Sequence, residues 1–160
     1  MRAHWAYLKY VLRHKGFVFL ECIKLGVPIW IAVLHDWDKF LPDEWFPYVN
    51  FFYYPDGSKR QHRDSTGYYK PDDTGDPDFD MAWFLHQKRN RHHWQSWALL
   101  RSDGAIKLFP IPLVFLREMI ADWRGAGRVQ NTPNTRKWYE TNKDKLYLHP
   151  DTRTMVELIL

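Results

Sequence analysis

The chain of 160 residues has a single cysteine, Cys22. One cysteine excludes an intramolecular disulfide and any Cys-rich zinc module, and it fits a reducing compartment. Long apolar runs are also missing. The longest, Leu25 to Leu34, is ten residues interrupted by Gly26 and Pro28, well short of the ~18–20 residues that span a bilayer. Near the N-terminus Lys9, Arg13, His14 and Lys15 break every apolar stretch, so no signal peptide is read there. No segment shows convincing strand alternation except Asn50 to Tyr54, and no internal repeat recurs. Charge of one sign is scarce. The 23 Lys+Arg against 19 Asp+Glu leave a net +4, too small an excess to choose between a nucleotide, a nucleic acid and no polyanion at all. These absences predict a soluble cytoplasmic protein with no membrane partner.

Apolar residues at 45% and charged residues at 26% are ordinary globular usage, which argues against disorder. The length suits one domain, 1–160, able to remove roughly 70% of its unfolded surface from water. Helical spacing recurs along most of it. Trp5, Leu8 and Leu12 define a first helix over Ala3–Lys15 that Gly16 interrupts, and Phe17–Leu25 forms a second run closed by Gly26. Pro28 opens a third that carries His35-Asp36 towards its end. Residues 50–77 read as a long irregular loop. Asp78 or Asp80 caps a helix running to about Leu100, Leu113–Arg124 follows and is stopped by Gly125 and Gly127, and two helices from Thr135 and Pro150 end the chain. The expected fold is an all-α single helical bundle.

Three constellations could carry chemistry. In His35-Asp36-Trp37-Asp38-Lys39 an imidazole and a carboxylate at a helix end can lean towards one cation, and Lys39 can meet a phosphate oxygen as a point charge. The same dipeptide can equally be a hydrogen-bonded core pair. In His86–Trp94, His86 and His93 would share one face of a continuous helix, with Asn90 between them and His92 pointing elsewhere. Lys88, Arg89 and Arg91 beside them also fit a solvated basic face. Glu118 and Asp122 sit four apart on an apolar helix, where like charges repel and a buried carboxylate needs a partner, metal or cationic side chain. His4 and His14, ten residues apart on the first helix, lie on different faces, so at most one looks into a given site. His62 and His149 read as surface or capping residues, and the tryptophans and Cys22 as packing.

The order of these groups resembles the HD-domain superfamily of metal-dependent phosphohydrolases. More closely, the chain resembles an uncharacterised family of small phage and bacterial proteins. The resemblance rests on His4…Tyr10-Val11-Leu12-Arg13-His14-Lys15, His35-Asp36…Lys39-Phe40, His86…Asn90-Arg91-His92-His93-Trp94 and Glu118-Met119-Ile120-Ala121-Asp122-Trp123, and it extends to Trp138 and Leu148–Glu157. It implies a bundle of the HD-domain type with a metal site from His14, His35, Asp36 and Asp122, and a possible second ion on His86 and His93.

The expected activity is then hydrolysis of a nucleotide or other small phosphate ester by one or two divalent ions (Mn, Co, Ni, Zn or Fe). Lys39 and Arg89 would neutralise phosphate charge and Glu118 would orient a ligand histidine. Tyr53, Tyr54, Tyr68 and Tyr69 would stack on a base. Two alternatives stand beside it: a di-iron oxygenase on the same bundle, and a basic helical module binding nucleic acid or a partner through Lys88, Arg89, Arg91, Arg124, Arg128, Arg136 and Lys137.

Overall fold

A computed structural model describes residues 1–60, 62 and 73–160, and it is an all-α bundle. Its helices are α1 (Arg2–Lys24), α2 (Ile29–Leu34), α3 (Pro42–Phe52), α4 (Pro77–Arg89), α5 (Leu113–Val129), α6 (Thr135–Asn142) and α7 (Pro150–Ile159). A small antiparallel hairpin, β1 (Ala98–Leu100) with β2 (Ile106–Leu108), is the only sheet among the described residues. None of the described helices is long and apolar enough to cross a membrane.

The bundle is organised on the pairing of α1 with α5. In α1 the residues Ala3, Tyr7, Val11, His14, Val18 and Cys22 recur at three- and four-residue steps and are all buried, so His14 lies within the packing stripe itself. On α5 the small residues Ala121 and Gly125, one turn apart, are buried, with Ala121 packed in one cluster with Val18 and Cys22. A β-carbon on Gly125 would collide with Cγ2 of Val18 and stand 2.9 Å from its backbone nitrogen. This close approach sets Asp122 beside His14. Three apolar clusters surround the pair: Tyr7, Val11, Tyr48 and Phe79 where α1, α3 and α4 meet; Leu116, Met119, Tyr139 and Val156 where α5, α6 and α7 meet; and Val18, Cys22, Ile31 and Ala121 at α2.

Several expected boundaries move, for physical reasons. Gly16 does not interrupt α1, because it is exposed with open space around it and costs the helix only its intrinsic propensity. Gly125 and Gly127 do not stop α5; they lie inside it, where α1 and the Thr132 carbonyl leave no room for a side chain. The long helix begins at Pro77 under an Asp76 cap that accepts from the Asp78 and Phe79 amides, while Asp80 holds Thr74. That helix ends at Arg89 rather than near Leu100, and Ser102-Asp103-Gly104 turns the hairpin instead of ending a helix. Asn50 is helical, within α3, so the irregular segment starts after Phe52 and holds a tight turn closed by a Tyr53–Lys59 bridge. Tyr68 and Tyr69 lie outside the described residues.

Candidate metal centre

His35 and Asp36 sit where α2 turns into a single 3-10 turn, Trp37–Phe40. Asp36 takes the left-handed conformation there, φ 52°, which aspartate tolerates better than most residues. The Lys15 ammonium donates to the His35 carbonyl and fastens this corner to α1. His35 and Asp36 are thereby turned inward and both are buried.

The two oxygens of Asp36 face different histidines. Oδ2 lies 3.3 Å from His14 Nε2 and 3.5 Å from His35 Nε2, and Asp122 Oδ1 closes this group at 3.1 Å from His14 Nε2 and 3.6 Å from His35 Nε2. Oδ1 lies 3.5 Å from His86 Nε2 and 3.4 Å from His92 Nε2, with His93 completing a second group. Within each group the donor atoms lie within 4.8 Å of one another. Ligands about 2.1 Å from a tetrahedral ion stand roughly 3.4 Å apart, so these separations are those of a coordination shell.

Three of the rings, His35, His92 and His86, are aimed from behind. Glu118 Oε1 takes His35 Nδ1 at 3.0 Å and His92 Nδ1 at 3.4 Å, one histidine from each group. Asp38 Oδ2 and Glu44 Oε2 take His86 Nδ1 at 3.0 and 3.1 Å. With Nδ1 occupied, Nε2 of these rings is left to face Asp36. His35 Nε2, His92 Nε2, His93 Nε2 and Asp36 Oδ1 are buried, yet none makes a hydrogen bond to the described residues. Buried polar atoms without partners are rare in folded proteins, and several converging on a shared carboxylate are what a cation would satisfy. The buried His/Asp groups could hold a metal ion.

The electrostatics agree. Burial would raise the Asp36 carboxyl, but His35, Lys39 and His86 outweigh it and hold the group well below the usual carboxylate range. Asp122 is likewise depressed against burial, by the neighbouring His14 and His35 rings. Burial pulls His92 down, yet the nearby Asp36 and Glu118 carboxylates carry it up to about 10; His14 and His86 also rise. His93 falls well below the ordinary value, through burial first and then its neighbours His92 and His86. Burial lowers the Lys39 ammonium less than Asp36, 3.0 Å away, raises it.

All six of the expected metal ligands, His14, His35, Asp36, His86, His93 and Asp122, come together here. Glu118 lies behind the rings, and Lys39 stands on Asp36. Arg89 corrects the expectation of a phosphate-neutralising group, because its guanidinium is taken by Asp43 (2.5 Å) and Glu44 (2.8 Å). His92 is the residue that sequence reasoning turned away from the site. It was placed on a continuous helix, but Asn90 ends α4, its amide donating to Asp38 Oδ2 at 2.5 Å and to the His86 carbonyl at 3.0 Å. The chain then turns and delivers His92 and His93 together. His4, His62 and His149 bond Trp45, the Phe51 carbonyl and the Asp151 amide, away from the centre. Arg124 and Arg128, expected on a basic surface, reach Glu21 at 3.8 and 2.7 Å.

A cavity of about 100 Å³ adjoins the centre. Three of its walls are groups already placed: Lys39 on Asp36, Tyr10 stacked on His14 (6.2 Å, 8°), and Trp83 packed on His86 and His93 (5.6 and 5.1 Å). Tyr7, Tyr48, Tyr53, Lys59 and Arg60 continue the lining, which contains no carboxylate among the described residues. A second opening, of about 300 Å³, lies on the Glu118 side, where His35 and His92 reach it from the centre beside Trp37, Arg91 and Phe115.

The sequence profile of a family of unknown function, DUF5662, matches residues 3–160. No curated protein and no solved structure matches the chain.

Proposed function

Because the chain belongs to the DUF5662 family, whose function is unknown, its role must be read from its own side chains, and we propose that it is a divalent-metal phosphohydrolase acting on a nucleotide or other small phosphate ester. The observation that carries this reading is Asp36, a buried carboxylate with one oxygen towards His14, His35 and Asp122 and the other towards His86, His92 and His93. On this reading the bundle is of the HD-domain type; His14, His35, Asp36 and Asp122 would hold one ion, and Asp36, His86, His92 and His93 a second. Imidazole with carboxylate suits Mn, Co, Ni, Zn or Fe.

When bound, such ions polarise a phosphoryl oxygen and lower the pKa of a bound water from 15.7 to about 7. The chain's own residues do the rest. Glu118, Asp38 and Glu44 keep the His35, His92 and His86 rings in one tautomer and orientation, as ligand histidines generally require. Lys39 holds a positive charge at the cavity floor, 3.0 Å from Asp36, where a phosphoryl group would arrive. Tyr10 and Trp83 pack on the ligand histidines and exclude water, which strengthens each of these interactions. The same donors would serve a di-iron oxygenase, but three cations in a cavity that holds no carboxylate among the described residues favour a phosphate ester.

Protein purified without chelator or nickel resin should carry metal by elemental analysis. With Mn, Co, Ni or Zn added it should release phosphate from a nucleotide panel, and Asp36→Ala should abolish both. Absence of metal together with no phosphate release under any of these ions would end the reading.

A further inference from the structure

The cavity over the centre has a lining that selects among phosphate esters. Its volume of about 100 Å³, against about 10–15 Å³ for one water, admits on the order of seven to ten water-sized groups, enough for a single ring with a phosphoryl group. Among the described residues its walls are mostly aromatic, with His62 and Gln130 besides, and its Lys and Arg groups are Lys39 at the floor and Lys59 and Arg60 outward, with no carboxylate. Lys59 and Arg60 already lie over tyrosine rings, Lys59 on Tyr10 at 5.5 Å and Arg60 on Tyr54 at 4.4 Å. An independent mark is Tyr7. It is 2% exposed, lines the cavity, and its hydroxyl has no hydrogen-bond partner among the described residues. Burial pushes this phenol upward, so it remains an O–H donor at neutral pH. A buried donor without a partner among the described residues, on a side chain that lines the cavity beside an ammonium, fits an anionic oxygen.

We propose that this cavity binds an aromatic phosphomonoester, with a phosphoryl oxygen accepting from the Tyr7 hydroxyl and Lys39 and the ring packed against Tyr10, Tyr48 and Tyr53. The inference rests on the phosphohydrolase reading and narrows its substrate to esters carrying a flat ring, at the expense of aliphatic and sugar phosphates. Stacking and edge contacts with several tyrosines give the ring its affinity, as base-on-aromatic contacts do elsewhere. Lys59, at the exposed rim, attracts the anion without fixing it.

The test uses two probes that cannot be hydrolysed, phenylphosphonate and methylphosphonate, titrated calorimetrically into the full chain with manganese present. The wild type should bind phenylphosphonate at least tenfold more tightly than methylphosphonate. Tyr7→Phe, which removes one oxygen and keeps the ring, should weaken both about tenfold and preserve their ratio. Trp37→Ala, in the other opening, should change neither. Equal affinities, an unchanged Tyr7→Phe, or loss of the preference in Trp37→Ala would each overturn the inference while leaving the phosphohydrolase reading standing. Binding of neither phosphonate also overturns the inference; the phosphohydrolase reading falls with it only if the same preparation releases no phosphate from nucleotides.

Discussion

Glu118 makes a prediction that few other residues could. Its Oε1 receives a ring nitrogen of His35 at 3.0 Å and one of His92 at 3.4 Å, and these histidines belong to different halves of the centre. Burial would raise this carboxyl, but the two bonds lower it, so it is held as an anion. Loss of a carboxylate behind a ligand histidine typically costs 10–100-fold in metal affinity, about 1.4–2.7 kcal/mol. Glu118→Gln keeps the shape and one acceptor oxygen but loses the charge that strengthens both bonds, so the cost should be about tenfold for each half. Glu44→Gln supplies the contrast. Glu44 supports only His86, and Asp38 backs the same nitrogen, so the loss should fall below tenfold and touch one half alone. Calorimetric titration of metal-stripped protein with zinc resolves the two steps. A Glu118→Gln isotherm in which only one step weakens would refute the idea that this carboxylate serves both halves.

Metal uptake should release protons, because His14, His86 and His92 are raised in the metal-free protein, His92 to about 10; affinity should therefore climb as pH rises from 6 towards 10, and a flat or falling dependence by titration in buffers of different ionisation enthalpy would contradict this. The stability of the metal-free chain should move the opposite way. Raised histidine pKa values contribute stability that is complete below about 6.5 and lost as pH rises through the folded values, so chemical denaturation should find it weaker at pH 10 than at pH 6. Gly125→Ala should destabilise by about 1–3 kcal/mol, roughly 3–10 °C in a thermal melt, because α1 cannot back away from the added methyl without repacking the core. Gly16→Ala, with open space around it in mid-helix, should stabilise by about 0.5–1 kcal/mol; a stabilising Gly125→Ala, with the same sign as Gly16→Ala, would show that the helix contact is misread.

The candidate ligands on helices were legible because helical spacing ties a polar residue to the buried stripe it interrupts. His14 falls on the stripe of Tyr7, Val11 and Val18, and Asp122 sits between Ala121 and Gly125 on the face turned to α1. His35-Asp36 announced itself as a polar pair after an apolar run. What stayed hidden was set by tertiary contacts. Asn90 looks like one more helical residue, and only its bonds to Asp38 and the His86 carbonyl turn the chain there and bring His92 inward. Asp38 stands in the His35–Lys39 segment without a role of its own and Glu44 carries no motif; their work behind His86 depends on the 3-10 turn and on α3, which bring them to that ring only in the folded chain. Gly125 and Gly127 read as a helix end by propensity, whereas a neighbouring helix and a carbonyl explain their size. Arg89 looked available among basic neighbours until Asp43 and Glu44 claimed it.

The account turns on Asp36 being shared by two cations, and anomalous diffraction from crystals grown with manganese addresses this without intermediaries. Two peaks are expected, one on each side of the Asp36 carboxylate. One should lie about 2.0–2.2 Å from ligand atoms of His14, His35 and Asp122, the other at similar distance from His86, His92 and His93. A map with fewer than two peaks beside Asp36, or with manganese bound only elsewhere on the chain, would contradict it.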